Sequence, residues 1–261
     1  MALAPTPDRT RGLFETLLVL DGVPVELGAH LDRLAASLEA LFGATLPPGL
    51  AAEAADRARP FQLGRLRISI DRIETAPRVT LATEDVDPGD FFPAWERGAE
   101  LQSLALPGGL GRHKCGDRRA LDGVDAGMVP LLFDRGDEVL EAGRANLFAA
   151  IDGVLVTPRA DGRILPGIAR AGAIAAARKA GIDVAERRLT RDELLAADEV
   201  FLTGSVRGVE PARTLDGAPL PAVTELSRRV GARLRRRWMS VDAAGAARAP
   251  AVAPPPDPLA R

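Results

Sequence analysis

The sequence predicts a mixed α/β fold of the α+β kind, built in two parts, and three patterns carry that prediction. An apolar run from Leu13 to Leu20 ends in Asp21-Gly22 and is followed by a helical stripe from Leu27 to Phe42, which reads as strand, hairpin turn and helix. Leu66, Ile68 and Ile70 alternate with Arg65, Arg67 and Ser69, the two-residue period of a half-buried strand. From Glu138 onward, apolar strand-like runs are interleaved with helical patterns and closed by glycine or proline. The link Pro107-Gly108-Gly109-Leu110-Gly111 divides the chain into a small N-terminal α/β domain, 1–106, and a larger, β-rich domain with helices, 107–240. An alanine- and proline-rich tail, 241–261, has no periodicity and is expected to be disordered.

Each element has its own warrant. Leu31, Leu34, Leu38 and Leu41 recur at helical spacing, with His30, Arg33 and Ser37 beside them and Gly43 as the stop. Val79-Thr80-Leu81 is placed to pair with the alternating strand. Glu138-Val139-Leu140 is a short apolar run that leaves Glu141 at a strand end, and Asn146-Leu147-Phe148 leads through Ile151 into an Asp152-Gly153 hairpin turn. Leu165-Pro166-Gly167 punctuates the chain before a helix from Ile168 to Ala180, ended by Gly181. Thr190 and Glu193 have capping-box spacing for a short helix, after which Glu199 to Thr203 reads as a strand running into Gly204-Ser205. The last helix places Val223, Leu226, Val230 and Leu234 inward and Arg233, Arg235, Arg236 and Arg237 on a solvated face.

With 261 residues and a formal charge of -2, the chain is expected to be a compact enzyme-sized protein with no pull on nucleic acid. One cysteine, Cys115, excludes an internal disulfide. No apolar stretch is long enough for a membrane helix or signal, and no metal-ligand cluster stands out. Those features favour a cytoplasmic location, away from membranes.

The chemistry-bearing residues are few. The chain has two lysines, Lys114 and Lys179. Lys179 suits the carbonyl end of its helix, whereas Lys114 follows the glycine link among Arg112, His113, Arg118 and Arg119, cations that lower an amine's pKa and favour its nucleophilic neutral form. By pattern alone, this stretch also reads as a basic surface loop. Glu141 is an isolated carboxylate at a strand end. The helix opening at Ile168 offers unpaired backbone N–H groups at its positive dipole end to an anion, with no demand on the Ile168 or Ala169 side chains. Ser205, in the turn after Gly204, offers a hydroxyl, and Arg33 a forked guanidinium. Taken singly, Arg33 also reads as a snorkelling arginine and His30 as a packed histidine.

Gly12-Leu13-Phe14-Glu15-Thr16, His30-Leu31-Asp32-Arg33-Leu34, Lys114, Glu141 with Asn146-Leu147-Phe148, Leu165-Pro166-Gly167-Ile168 and Thr203-Gly204-Ser205 together resemble the class IV aminotransferases, the fold-type-IV pyridoxal-phosphate enzymes, in order and over roughly residues 11 to 216. The resemblance implies pyridoxal 5′-phosphate as cofactor, held between the two domains. It makes Lys114 the Schiff-base lysine, Glu141 the partner of the pyridine nitrogen, and Arg33, Gly167, Ile168, Ala169, Gly204 and Ser205 the phosphate contacts, with Arg118 and Asn146 also at the cofactor. Thr16 is the candidate to orient proton transfer. Phe14, Arg144 and Arg207 are the candidate substrate contacts.

Within that family the sequence leans toward aminodeoxychorismate lyase, including the lyase domain fused to aminodeoxychorismate synthase. Arg118 stands four residues after Lys114, and the chain has no tyrosine, where the aminotransferases of branched-chain and D-amino-acid type use tyrosines. The expected reaction is conversion of 4-amino-4-deoxychorismate to 4-aminobenzoate and pyruvate. The alternatives are an aminotransferase needing a 2-oxo acid, and an inactive relative, since the opening hairpin and the Lys114–Glu141 segment are shorter than the family's. A homodimer is implied, and an aminodeoxychorismate synthase is a possible partner. A Rossmann-type nucleotide site is the poorest reading, because Gly108-Gly109-Leu110-Gly111 lacks the strand-turn-helix setting.

Overall fold

A computed structural model describes Asp8, residues 11–71 and residues 77–240. The tail, 241–261, lies outside the described residues.

The first part is a four-stranded sheet with two helices. Strand β1 (Leu13–Leu20) turns into β2 (Val23–Pro24), helices α1 (Leu27–Phe42) and α2 (Leu50–Ala58) follow, and β3 (Leu63–Ile70) and β4 (Val79–Asp85) complete the order β2-β1-β3-β4. Asp21 and Gly22 both have positive φ, 47° and 78°, as a type I′ turn requires. Gly43 caps α1 in the left-handed region and donates to the Glu39 carbonyl. Ile68 pairs with Leu81 and Ile70 with Val79, so the alternating strand finds the expected partner. Helix α2 carried no clear sequence signal. Its buried stripe is Leu50, Ala54 and Ala58, and small alanines give little hydrophobic contrast.

The second sheet has nine strands. These are β5 (Ala99–Ala105), β6 (Val129–Phe133), β7 (Val139–Ala142), β8 (Asn146–Ile151), β9 (Val154–Thr157), β10 (Val184–Glu186), β11 (Glu199–Gly204), β12 (Gly208–Leu215) and β13 (Ala218–Pro219). The order is β10-β9-β8-β11-β12-β5-β6-β7, with β13 on β12. Helices α3 (Ile168–Lys179), α4 (Arg191–Leu195) and α5 (Glu225–Met239) complete the chain. Because β5 pairs with β6 and β12, the change of sheet falls between Asp85 and Ala99, ahead of the glycine link.

Packing follows the alternation of β8 and β11. Leu147, Ala149, Val200 and Leu202 enter one core cluster, while Phe148, Ala150 and Phe201 enter another with Ala173 of α3 and Leu234 of α5. Phe148 and Phe201 are register partners and stack with ring centroids 5.1 Å apart. Strand β1 is buried on both faces. Leu13, Leu17 and Val19 pack with Leu34 and Leu38 of α1, and Leu18 packs with Phe148 and its neighbours. On the last helix, Val230 and Leu234 are buried as expected, but Val223 precedes the first turn and is 55% exposed, which corrects its inward assignment.

Helix α5 begins with no side-chain cap of its own. Glu199, buried at the start of β11, accepts from the Leu226 N–H at 2.7 Å and the Ser227 N–H at 3.0 Å, so a distant carboxylate satisfies the first-turn donors. Replacing Glu199 with Ala leaves the buried Ser227 donor and the partly buried Leu226 donor unpaired and is expected to cost about 1–3 kcal/mol, seen as a lower urea midpoint at an unchanged slope.

Candidate active site

A cleft of about 580 Å³ lies where the two sheets face each other, within the size range of small-molecule sites. Every candidate site residue named from the sequence lines it. Strand β1 contributes Phe14 and Thr16 on the face turned away from α1, and Arg67 of β3 is the register partner of Thr16.

Lys114 sits in a loop bonded to the start of β1. Its carbonyl accepts from the Phe14 N–H at 3.0 Å, and Cys115 bridges Leu13. Its Nζ lies over the Phe14 ring, 4.6 Å from the centroid. Burial is the main force on this amine, lowering its pKa to about 8; Arg33 and Arg118 lower it further, against Glu15 and Glu141. The sequence located the shift but misjudged its cause. Desolvation leads, and Arg119 is turned outward to pair with Asp117 at 2.8 Å.

Glu141, the last residue but one of β7, is buried. Its carboxylate accepts from the Leu165 N–H at 3.2 Å and from the Asn146 side-chain amide at 3.2 Å. Burial raises its pKa to about 8, outweighing that N–H and the charges of Lys114, Arg118 and Arg33. Asn146 also donates to the Leu165 carbonyl at 2.9 Å, fixing the loop that precedes α3.

That loop delivers the helix N-terminus to the cleft. Gly167 caps α3 with an extended backbone, and a Cβ there would meet Asn146 Oδ1 at 2.0 Å, so only glycine allows the close approach. Across from it, Thr203 of β11 is the register partner of Asn146 and begins the turn through Gly204 and Ser205. Its hydroxyl is buried with no hydrogen-bond partner among the described residues, which makes it a polar atom awaiting an acceptor or donor in the cleft. Open helix amides, this hydroxyl and the glycine-lined approach are a donor set that suits a phosphate. With Lys114 and Glu141 on the walls, the residues present fit pyridoxal 5′-phosphate.

Arg33 is more constrained than the sequence implied. Its Nε and Nη2 donate to Glu15 at 2.8 and 2.7 Å, and its Nη1 to the Pro166 carbonyl at 3.1 Å. His30 adds Nδ1 to the same carboxylate at 2.7 Å. Arg144 and Arg207 share Glu210. Arg144 grips it in a fork at 2.7 and 2.8 Å, and Arg207 lies 3.0 Å from it, pairing also with Asp90 at 2.7 Å. Asp90 in turn meets Arg97, which meets Asp87. Both proposed substrate arginines are therefore rungs of a paired ladder along the rim.

Two guanidinium groups at the cleft have no such partner among the described residues. Arg67 places its guanidinium 3.9 Å from the Phe14 centroid and Arg118 lies 5.8 Å from the same ring, a stacked arrangement on an aromatic face. Arg118 also donates to the Gly143 carbonyl. Among the described residues, neither makes an ion pair with a carboxylate. Arg67 escaped the sequence reading because polar residues alternating on a strand look solvent-facing; here that face is the cleft wall. Thr203 was quoted within the Thr203-Gly204-Ser205 motif but given no role of its own, and Glu15 gave no sign that it would be buried.

Residues 119–215 match the family model described as Amino-transferase class IV. The branched-chain-amino-acid aminotransferase of Salmonella typhimurium is 34% identical over 143 residues, 52% of this chain and 45% of that one. The D-alanine aminotransferase of Listeria monocytogenes is 37% identical over 124 residues, 47% and 40% of the two chains. The chain thus spans less than half the length of these curated relatives. The structure of a 4-amino-4-deoxychorismate lyase from Pseudomonas aeruginosa is similar with a TM-score of 0.71 and 28% identity, over 90% of this chain and 96% of that one. A hypothetical aminotransferase from Mycobacterium tuberculosis, at 24% identity, shares the fold with a TM-score of 0.77 over 92% and 94% of the chains. Residues 119–215 of this chain are thus similar to the class IV aminotransferase domain, and the chain shares the fold-type-IV architecture.

Proposed function

We propose that the chain is a pyridoxal 5′-phosphate-dependent enzyme that converts 4-amino-4-deoxychorismate to 4-aminobenzoate and pyruvate. The observation that carries the cofactor-dependent chemistry is a partly buried lysine facing a buried carboxylate and an open helix N-terminus in the same cleft, its amine lowered to about 8.

When bound, the cofactor supplies an electron sink for the pair left by a broken bond at the carbon bearing the substrate amine. The protein's own groups do the rest. The N–H groups at Ile168 and Ala169, with Thr203, Ser205 and Arg33, bind the phosphate. Glu141 is oriented by Leu165 and Asn146 toward a ring N–H, and a positive charge there favours its ionised form. Lys114, losing its proton near pH 8, takes the proton from the amine-bearing carbon. Thr16 lies across the strand pair from Arg67, where it orients that transfer, and Arg67 and Arg118 meet the substrate's carboxylates.

The lyase reading draws support from the likeness to the Pseudomonas enzyme along 96% of its chain and from a cleft walled by arginines without any tyrosine. An aminotransferase is the second reading, favoured by the curated relatives at 34% and 37% identity; there, Lys114 returns the proton to a different carbon and a 2-oxo acid is needed. The lyase reading carries a cytoplasmic homodimer, with an aminodeoxychorismate synthase as the upstream partner. Among the described residues no helix is long and apolar enough to cross a membrane.

Incubation with pyridoxal 5′-phosphate is expected to give a visible absorbance band, and borohydride to fix the cofactor covalently on Lys114. Lys114→Ala is expected to lose both and at least about 10²-fold in rate. Pyruvate released without a 2-oxo acid identifies the lyase, and a strict need for that acceptor identifies the aminotransferase. A colourless protein with no adduct at Lys114 refutes both.

The apo-protein offers an independent check. The Lys114 amine is expected to titrate with a midpoint of about 8 rather than 10.5, followed by pH-dependent amine labelling, and Arg118→Gln is expected to raise that midpoint by removing a nearby positive charge. Between those two values the unfolded chain holds a proton that the folded one has released. Lys114 therefore makes stability rise with pH across that window, and urea unfolding of Lys114→Met should lack that component.

A further inference from the structure

We propose that Glu15 and His30 are positioning residues that set Arg33 in place before any ligand arrives, forming a bracket that aims its remaining N–H groups at a phosphate at the mouth of α3. This rests on the cofactor reading above and names the part of the chain that makes the phosphate subsite selective.

Glu15 is 1% exposed and lies between Leu13 and Leu17 on the α1-facing side of β1. A carboxylate in that apolar setting must be paired. Its partners come from α1, one turn apart. Arg33 grips it through two nitrogens, and His30 donates Nδ1–H to Oε2 at 2.7 Å. Burial would raise the carboxyl, but the Arg33 charge and the His30 and Arg33 hydrogen bonds together hold it down to about 2, so it stays ionised. Burial also lowers the pKa of His30, so the imidazole adds a donor without a second positive charge.

The third Arg33 bond decides the role. Nη1 reaches from the small sheet's helix to the carbonyl of Pro166, the residue before the Gly167 cap. A guanidinium carries five N–H donors; three are committed, which leaves about two for the cleft that Arg33 lines. A pair serving stability alone could be replaced by apolar side chains at little cost. This one instead bridges both parts of the fold and ends at an anion-accepting helix terminus. Fixing the guanidinium in advance removes the ordering cost that a free arginine would pay on binding.

The test compares pyridoxal 5′-phosphate with pyridoxal, which lacks the phosphate, by absorbance titration of apo-protein, alongside the melting shift produced by inorganic phosphate. Glu15→Gln is expected to weaken pyridoxal 5′-phosphate by about tenfold or more while changing pyridoxal by less than about twofold, and to abolish the phosphate-induced shift. His30→Gln keeps the ion pair and is expected to lose about threefold of the same preference. Equal weakening of both vitamers, or an unchanged preference, overturns the proposal; if Glu15→Gln does not fold, the His30 variant decides in the same way. A wild-type protein that forms no adduct at Lys114 but is stabilised by phosphate, with the stabilisation lost in Glu15→Gln, refutes the cofactor reading and leaves the bracket standing.

Discussion

The burial of β1 on both faces is the constraint from which the site follows. A strand with no solvent side must pair every polar group it carries, and β1 carries two between its apolar residues. Glu15 meets this by recruiting His30 and Arg33 from α1. Thr16, on the opposite face, opens on the cleft instead. The strand thus ties its helix to the loop before α3 on one side and lines the reaction volume on the other. The same low-dielectric surroundings push the Lys114 amine down and the Glu141 carboxyl up, both to about 8. One physical cause, withdrawal from water, brings an amine and an acid to nearly the same proton affinity across one cavity.

Geometry then assigns what burial has made possible. The register of β8 with β11 sets Asn146 beside Thr203. Asn146 fixes the 165–167 loop and bonds Glu141, so the acid wall and the anion-accepting helix end are positioned by one amide. The fit at Gly167 is so close that a methyl group has no room. Features that a sequence shows as separate motifs are parts of one hydrogen-bonded unit.

Much of this was legible in the chain. Strong periodicity and turn chemistry revealed β1, α1, the Asp-Gly hairpins and α3, because each rests on local rules. The cleft residues were found by their order along the sequence. What escaped was set by tertiary context. Helix α2 buries alanines that leave no contrast with their neighbours. Arg67 alternates like a surface residue and is exposed, yet the surface it lies on is the cleft wall. Val223 matched the helical stripe, but the chain has not begun to coil at that position. Arg144 and Arg207 were recognised as cations, while their shared anion, Glu210, stands three residues after Arg207 but far along the chain from Arg144, so the spacing gave no sign that one carboxylate serves both.

The rim ladder has a consequence for how a solute enters. Arg144, Glu210, Arg207, Asp90, Arg97 and Asp87 alternate in sign, so their fields largely cancel a short distance away. The unneutralised guanidinium groups of Arg67 and Arg118 stand around the Phe14 ring, Arg67 exposed and Arg118 partly buried. A dicarboxylate such as the proposed substrate therefore meets little net attraction from the ladder and is drawn instead to the two uncompensated charges beside Phe14. Such a placement of charge favours capture at the Phe14 wall over adsorption along the ladder, and it leaves the ladder side free for a departing neutral or singly charged product.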